Sequence, residues 1–61
     1  MNNEALVRMA IEVEQRAVAT YNFIANKSDD PDVRAWAQQK AFDEGNDLNE
    51  ATEKLRQVTG K

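Results

Sequence analysis

Three acidic residues are spaced so that their carboxylates can meet. Glu14 lies inside the stretch 10–21, where helical spacing of about 100° per residue surrounds it with apolar side chains. Glu44 interrupts a second apolar stripe in the same way, and Asp47 follows it by one turn. A carboxylate on an apolar surface is costly unless a proton, a cation or a metal ion neutralises it. The pattern therefore predicts a cluster of carboxylates that have to share protons or hold cations.

Two long helices are expected to carry these residues. Residues from about 3 to 27 contain no glycine or proline, and the apolar periodicity resumes from 31 to 58. Between them, Asp30 suits an N-cap and Pro31 suits the first helical position. The sequence predicts one all-α domain, residues 1–61, folded as an antiparallel two-helix hairpin.

The predicted turn sets the two glutamates at one level. Glu14 lies fifteen residues before Asp29, the centre of the turn, and Glu44 lies fifteen residues after it. Residues equidistant from the turn of an antiparallel hairpin lie at the same height, here about 22 Å from the turn at 1.5 Å per residue. Gly45 weakens the second helix by about 1 kcal/mol relative to alanine. We interpret it as the mark of a close approach between the helices.

The first helix has an apolar arc of about 200°, which is wider than one partner helix covers. One uncovered flank is expected, either that of Leu6, Met9, Val13 and Ile24 or that of Ile11 and Val18. A chain of 61 residues also buries too little surface to be comfortably stable alone. The sequence therefore predicts a homodimer or a higher even-numbered oligomer, in which two hairpins form a four-helix bundle around Glu14 and Glu44 of both copies.

The composition excludes several classes of chemistry. The chain has no cysteine and no histidine, so disulfides, thiolate sites and imidazole catalysis are ruled out. Eight basic residues stand against 11 acidic ones, a net charge of −3, which argues against nucleic acid as a partner. No apolar run approaches the length of a membrane span, so no membrane partner is expected. No signal-peptide pattern opens the chain, so a cytoplasmic location is the default expectation.

The acidic pattern resembles that of the ferritin-like, rubrerythrin-type di-iron proteins. Those proteins carry Glu-x-x-Ala/Gly-x-x-x-Tyr on one helix, an Asp-Pro turn, and Ala-x-x-Glu-x-x-His on the next helix. The chain is also similar to the encapsulated ferritins, whose single hairpins dimerise to build a di-iron site between chains. The matching residues, within about 9–55, are Glu14, Ala17, Tyr21, Asp30, Pro31, Ala41 and Glu44, with Asp47 in place of the histidine.

The resemblance implies metal ligation by Glu14 and by Glu44, the latter as the bridging type, with Asp47 in support. It implies iron oxidation or storage, in which the missing histidine weakens any ferroxidase-type activity. An all-oxygen site suits Mn²⁺, Ca²⁺, Mg²⁺ or Fe³⁺ better than a redox-tuned Fe²⁺ site. Tyr21 is expected in the core, with its hydroxyl hydrogen-bonded to a glutamate of the acidic layer.

Simpler interpretations exist for each acidic residue. Glu14 would pair with a lysine or arginine of a neighbouring chain, Glu44 would form an i,i+4 ion pair with Lys40, and Asp47 would be a solvated residue at the helix edge. The chain would then be a non-catalytic structural or protein-interaction hairpin that has lost its metal site. A DNA-binding hairpin is disfavoured, because the basic residues are scattered and outnumbered.

Overall fold

Two helices joined by a three-residue turn make up the fold. The computed structural model describes residues 1–60, and within that range it contains α1 (Asn3–Lys27), α2 (Pro31–Thr59) and no strand. The helices pack against each other over a body of 47 × 17 × 10 Å. Neither helix contains an apolar segment long enough to cross a membrane. The predicted all-α hairpin is confirmed, and α2 ends one residue later than expected.

The turn is held by side-chain caps. The carboxylate of Asp30 accepts hydrogen bonds from the backbone N–H groups of Asp32, at 2.8 Å, and Val33, at 3.3 Å. The hydroxyl oxygen of Ser28 accepts from the N–H of Asp30 at 3.1 Å. Pro31 occupies the first turn of α2, where its missing N–H has no helical partner to lose. These caps confirm the predicted start of α2 and fix how the two helices enter the hairpin.

The helices meet along a seam whose residues recur every three or four positions, as in a coiled coil. Among residues 1–60 only Ala25 and Ala37 are buried, and the other seam residues are half-buried. The Tyr21 and Trp36 rings pack edge-to-face with centroids 5.5 Å apart. The half-buried seam residues are Val7, Ile11, Glu14, Val18 and Tyr21 of α1, and Ala41, Glu44, Leu48, Ala51, Leu55 and Val58 of α2.

One flank of α1 stays open. Leu6, Met9 and Val13 are exposed to 49%, 52% and 63%. Ile11 and Val18 instead lie half-buried in the seam. Of the two alternatives drawn from the sequence, the uncovered flank is therefore that of Leu6, Met9 and Val13, whereas Ile24, predicted on the same flank, is half-buried. A four-helix bundle of two copies would cover this flank, and that assembly stays a prediction.

The expected close approach at Gly45 is wrong. A Cβ atom added at Gly45 would meet nothing within 4 Å outside its own stretch of helix. Gly45 is one residue past Glu44, so it turns about 100° away from the seam and toward open space. This glycine therefore weakens α2 without serving the packing of the helices.

Gly45→Ala is expected to raise the free energy of unfolding by about 1 kcal/mol per chain, because alanine has the higher helix propensity and its methyl group has room. Urea denaturation followed by circular dichroism measures the change. Gly60→Ala is the contrast, since a Cβ at Gly60 would lie 2.6 Å from the carbonyl oxygen of Arg56 and should bring no gain. A loss of stability in Gly45→Ala would show that the position is in contact after all.

Candidate metal centre

The structure brings the three predicted acidic residues together. Glu14 of α1 and Glu44 and Asp47 of α2 each offer one carboxylate oxygen, and these oxygens lie within 4.8 Å of one another. Glu14 and Glu44 are half-buried and Asp47 is exposed. The level placement of the two glutamates is confirmed. We call Glu14, Glu44 and Asp47 the acidic triad.

Local sequence explains the convergence. Glu44 and Asp47 are three residues apart on α2, so their side chains lie on neighbouring parts of one helix face. Glu14 occupies a seam position of α1 directly across, where an apolar residue would normally pack. Ala17 and Ala41, one turn away on either helix, are small enough to leave room for the carboxylates.

A solvent-open groove of about 420 Å³ runs alongside the triad. It lies on the same face of the hairpin as the exposed flank of α1. Glu50 and Lys54 line this groove although the sequence interpretation did not single them out. They lie three and seven residues after Asp47, and this helical spacing could have placed them on the same face as Asp47. The lining residues are Leu6, Val7, Ala10, Glu14, Asp47, Glu50, Ala51 and Lys54.

Glu14 is the residue of the triad whose charged form is disfavoured in the folded chain. Within residues 1–60 its buried Oε2 atom has no N–H or O–H group in hydrogen-bonding reach. Hydrogen bonding of the protonated Glu14 carboxyl to the Glu44 carboxyl raises the pKa of Glu14 from 4.5 to about 7. Burial and the charges of Glu44 and Asp47 raise this pKa as well. Near neutral pH the triad therefore holds a proton readily, and a bound cation would compete for the same place.

Lys40 supplies partial compensation. Its Nζ atom lies 4.0 Å from Oε1 of Glu44 and 5.6 Å from the centre of the Tyr21 ring. The ion pair expected under the simpler interpretation of Glu44 is thus present. For Glu14 no lysine or arginine partner exists among the described residues. The Tyr21 hydroxyl donates to neither glutamate in that range, because its ring is held between Trp36 and Lys40 instead.

The donor set fits a hard cation. Calcium binds oxygen ligands at 2.3–2.6 Å, so two oxygens on opposite sides of the ion are about 5 Å apart. The triad oxygens, within 4.8 Å of one another, fall inside that span. Three carboxylates leave most coordination positions open, as expected for a site that needs water or further protein ligands to complete it.

The stability of the metal-free protein should fall as pH rises from 4.5 to about 7. Glu14 holds its proton more tightly in the folded than in the unfolded chain, so the stability present below pH 4.5 is lost as pH rises through the folded pKa. Glu14→Gln should be flatter across this window and more stable than the wild type at pH 8. Urea denaturation with chelator at pH 5 and pH 8 measures both.

Glu12→Gln is the matched control, because Glu12 is exposed on the outer side of α1. It should keep the slope of the wild type. An equal pH dependence in wild type and Glu14→Gln would show that Glu14 is not under stress.

Similarity to known proteins gives no information about the role of the triad. No family model, no curated protein and no solved structure matches the chain. The ferritin-like assignment accordingly stays a prediction from the residues that suggested it.

Proposed function

We propose that this chain is a ferritin-like metal-binding protein whose carboxylate site is completed by a second copy in a homodimer. The observation that supports it is the convergence of one carboxylate oxygen from each of Glu14, Glu44 and Asp47 within 4.8 Å. In residues 1–60 the buried Oε2 atom of Glu14 also has no hydrogen-bond partner. Both glutamates occupy seam positions at the same level, where apolar residues would otherwise pack.

A divalent or trivalent cation suits the triad better than a proton alone. One proton shared by Glu14 and Glu44 neutralises a single charge and leaves the charge of Asp47 unmatched. A cation neutralises two or more charges of the triad. The preferred ions are Mn²⁺, Ca²⁺, Mg²⁺ and Fe³⁺, because all available donors are anionic oxygens.

The residues of the triad have different tasks. Glu14 and Glu44 hold the ion from opposite helices, so ion binding also ties α1 to α2. Asp47 is exposed and can turn toward an ion or toward water. Lys40 pairs with Glu44 in the hairpin and would have to release it when an ion binds. Bound iron would supply one-electron chemistry with oxygen, which is the basis of a role in iron oxidation or storage.

A second candidate is a structural or protein-interaction hairpin without a metal. The Lys40–Glu44 contact and a proton shared by the two glutamates favour it, because together they compensate much of the triad's charge. Under this candidate Glu14→Gln and Glu44→Gln leave stability unchanged or improve it, and added metal changes nothing.

Manganese should raise the melting temperature of the wild type but not that of Glu14→Gln/Glu44→Gln. A ligand that binds only the folded state stabilises by about 2.7 kcal/mol at a hundred times its Kd. Differential scanning fluorimetry at fixed protein concentration and pH 7.5, with Mn²⁺, Ca²⁺ and Fe³⁺ in turn, measures the shift.

Glu12→Gln/Glu53→Gln is the control that removes two exposed charges elsewhere. It should respond to metal as the wild type does. Equal responses in all three proteins would indicate unspecific binding to an acidic surface and would defeat the metal proposal.

Asp47→His should shift the metal preference toward ions that favour nitrogen. Imidazole binds Co²⁺, Zn²⁺ and Fe²⁺ better than carboxylate does, so the affinity for Co²⁺ relative to Ca²⁺ should rise about tenfold or more. Visible absorption during cobalt titration provides the readout. No change in the ratio of affinities would mean that residue 47 does not reach the ion.

A further inference from the structure

The exposed flank of α1 has a symmetry of its own. Leu6 and Ile24 each lie nine residues from position 15, and Val13 and Ala17 each lie two residues from it. Leu6 and Val13 are exposed, whereas Ala17 and Ile24 are half-buried beside the seam. On a helix these four residues share one face, about 100° from the seam. Such a stripe matches itself when an identical helix is laid over it in the opposite direction, which is the condition for an isologous contact.

We propose that a second copy of this chain covers this face with the two α1 helices antiparallel, about a two-fold axis level with position 15. Leu6 of each copy then packs on Ile24 of the other, and Val13 packs on Ala17. This arrangement rests on the proposed homodimeric site and specifies which helix meets which.

The charges of α2 fit the same axis. Because Glu14 and Glu44 are level, position 43 of α2 is level with position 15 of α1. The two-fold axis therefore passes between the two α2 helices at position 43. Lys40 of one copy then lies within one residue of Asp47 of the other, and Lys54 lies opposite Asp32. All four side chains belong to the open face or its edge. Two kinds of ion pair thus form twice each.

The opposite choice, α1 over α2, is unfavourable. It would lay the stripe of Leu6 and Val13 on the charged row of Lys40, Asp47 and Lys54, which would be desolvated against apolar side chains. Antiparallel α1 pairing brings Asp43 against its own copy and the two acidic triads toward each other, and the charge of the triads is what a bound cation would neutralise. Asp43 is exposed at the rim and accepts a hydrogen bond from Gln39 at 3.0 Å.

The hairpin is large enough to offer an interface of standard size. Its two long dimensions are 47 and 17 Å. The outline of the hairpin is thus comparable with the roughly 800 Å² that each partner buries in a standard interface. Within residues 1–60 the hairpin fully buries only Ala25 and Ala37, and Leu6 and Val13 on this face stay exposed.

The arrangement also doubles the acidic triad. Position 14 of one copy lies opposite position 16 of the other, so the two Glu14 residues differ in height by about 3 Å at 1.5 Å per residue. Both point to the inner side of the α1 pair. Two triads then face one cavity, and each copy supplies the oxygen ligands that the other lacks.

Disulfide cross-linking tests the register directly, since the chain has no cysteine of its own. An equimolar mixture of Val13→Cys and Ala17→Cys chains should form a heterodimeric disulfide at least fivefold faster than a mixture of Val13→Cys and Asp43→Cys chains. Preferential cross-linking of Val13→Cys to Asp43→Cys would place α1 on α2 and overturn the proposal.

Sedimentation equilibrium of charge variants provides the second measurement. Val13→Glu, on the stripe, should halve the mass at a concentration at which the wild type is dimeric. Gln15→Glu adds the same charge at the same level on the outer side and should leave the mass unchanged. A monomeric wild type, or a Val13→Glu dimer as tight as the wild type, would overturn the proposal.

The two proposals fail separately. A dimer that gives the expected cross-link but takes up no metal contradicts the proposed function and leaves the register intact. If manganese raises the melting temperature but the Val13→Cys and Asp43→Cys chains cross-link preferentially, the proposed register alone is contradicted.

Discussion

The short turn sets the register in which the two helices pack. Asp30 caps α2 and Ser28 caps the N–H of Asp30, so the chain reverses over three residues with its backbone groups satisfied. If the pairing of the helices slipped by one residue, the heights of Glu14 and Glu44 would differ by about 1.5 Å. One of the helices would also turn by about 100°, which would carry its glutamate out of the seam. The acidic triad is therefore a consequence of the turn as much as of its own residues.

At the triad, the hairpin places charged side chains where apolar ones would stabilise it. An apolar residue at position 14 would pack in the seam, whereas Glu14 brings a carboxylate oxygen that finds no partner in the described part of the chain. Lys40 relieves Glu44 but does not reach Glu14. The remaining charge makes the site responsive to protons and to cations. Local departures from the best packing are expected at functional positions.

Much of the fold could be predicted because it rests on local rules. The cap at Asp30, Pro31 at the helix start and the three-four spacing of apolar residues determine both helices and their seam, and equal distances from the turn determine the level of the glutamates. The Gly45 prediction was wrong because sequence distinguishes poorly between a glycine required by a neighbour and one that merely faces open space. The Tyr21 hydroxyl donates to neither glutamate within residues 1–60. The packing of its ring against Trp36 and the approach of Lys40 depend on side-chain geometry that periodicity does not contain. The choice of the open flank likewise needed the packed helices.

The edge-to-face contact of Trp36 with Tyr21 gives the hairpin an optical signal. Trp36 is the chain's single tryptophan, and 51% of it is exposed. Its ring lies on the open face, with the sole tyrosine at 5.5 Å. Tyrosine excitation at this distance passes to the indole, and the indole emission moves to shorter wavelength when water leaves its surroundings. The natural fluorescence of the unlabelled chain thus reports separately on whether α1 and α2 are together and on whether their common face is dry.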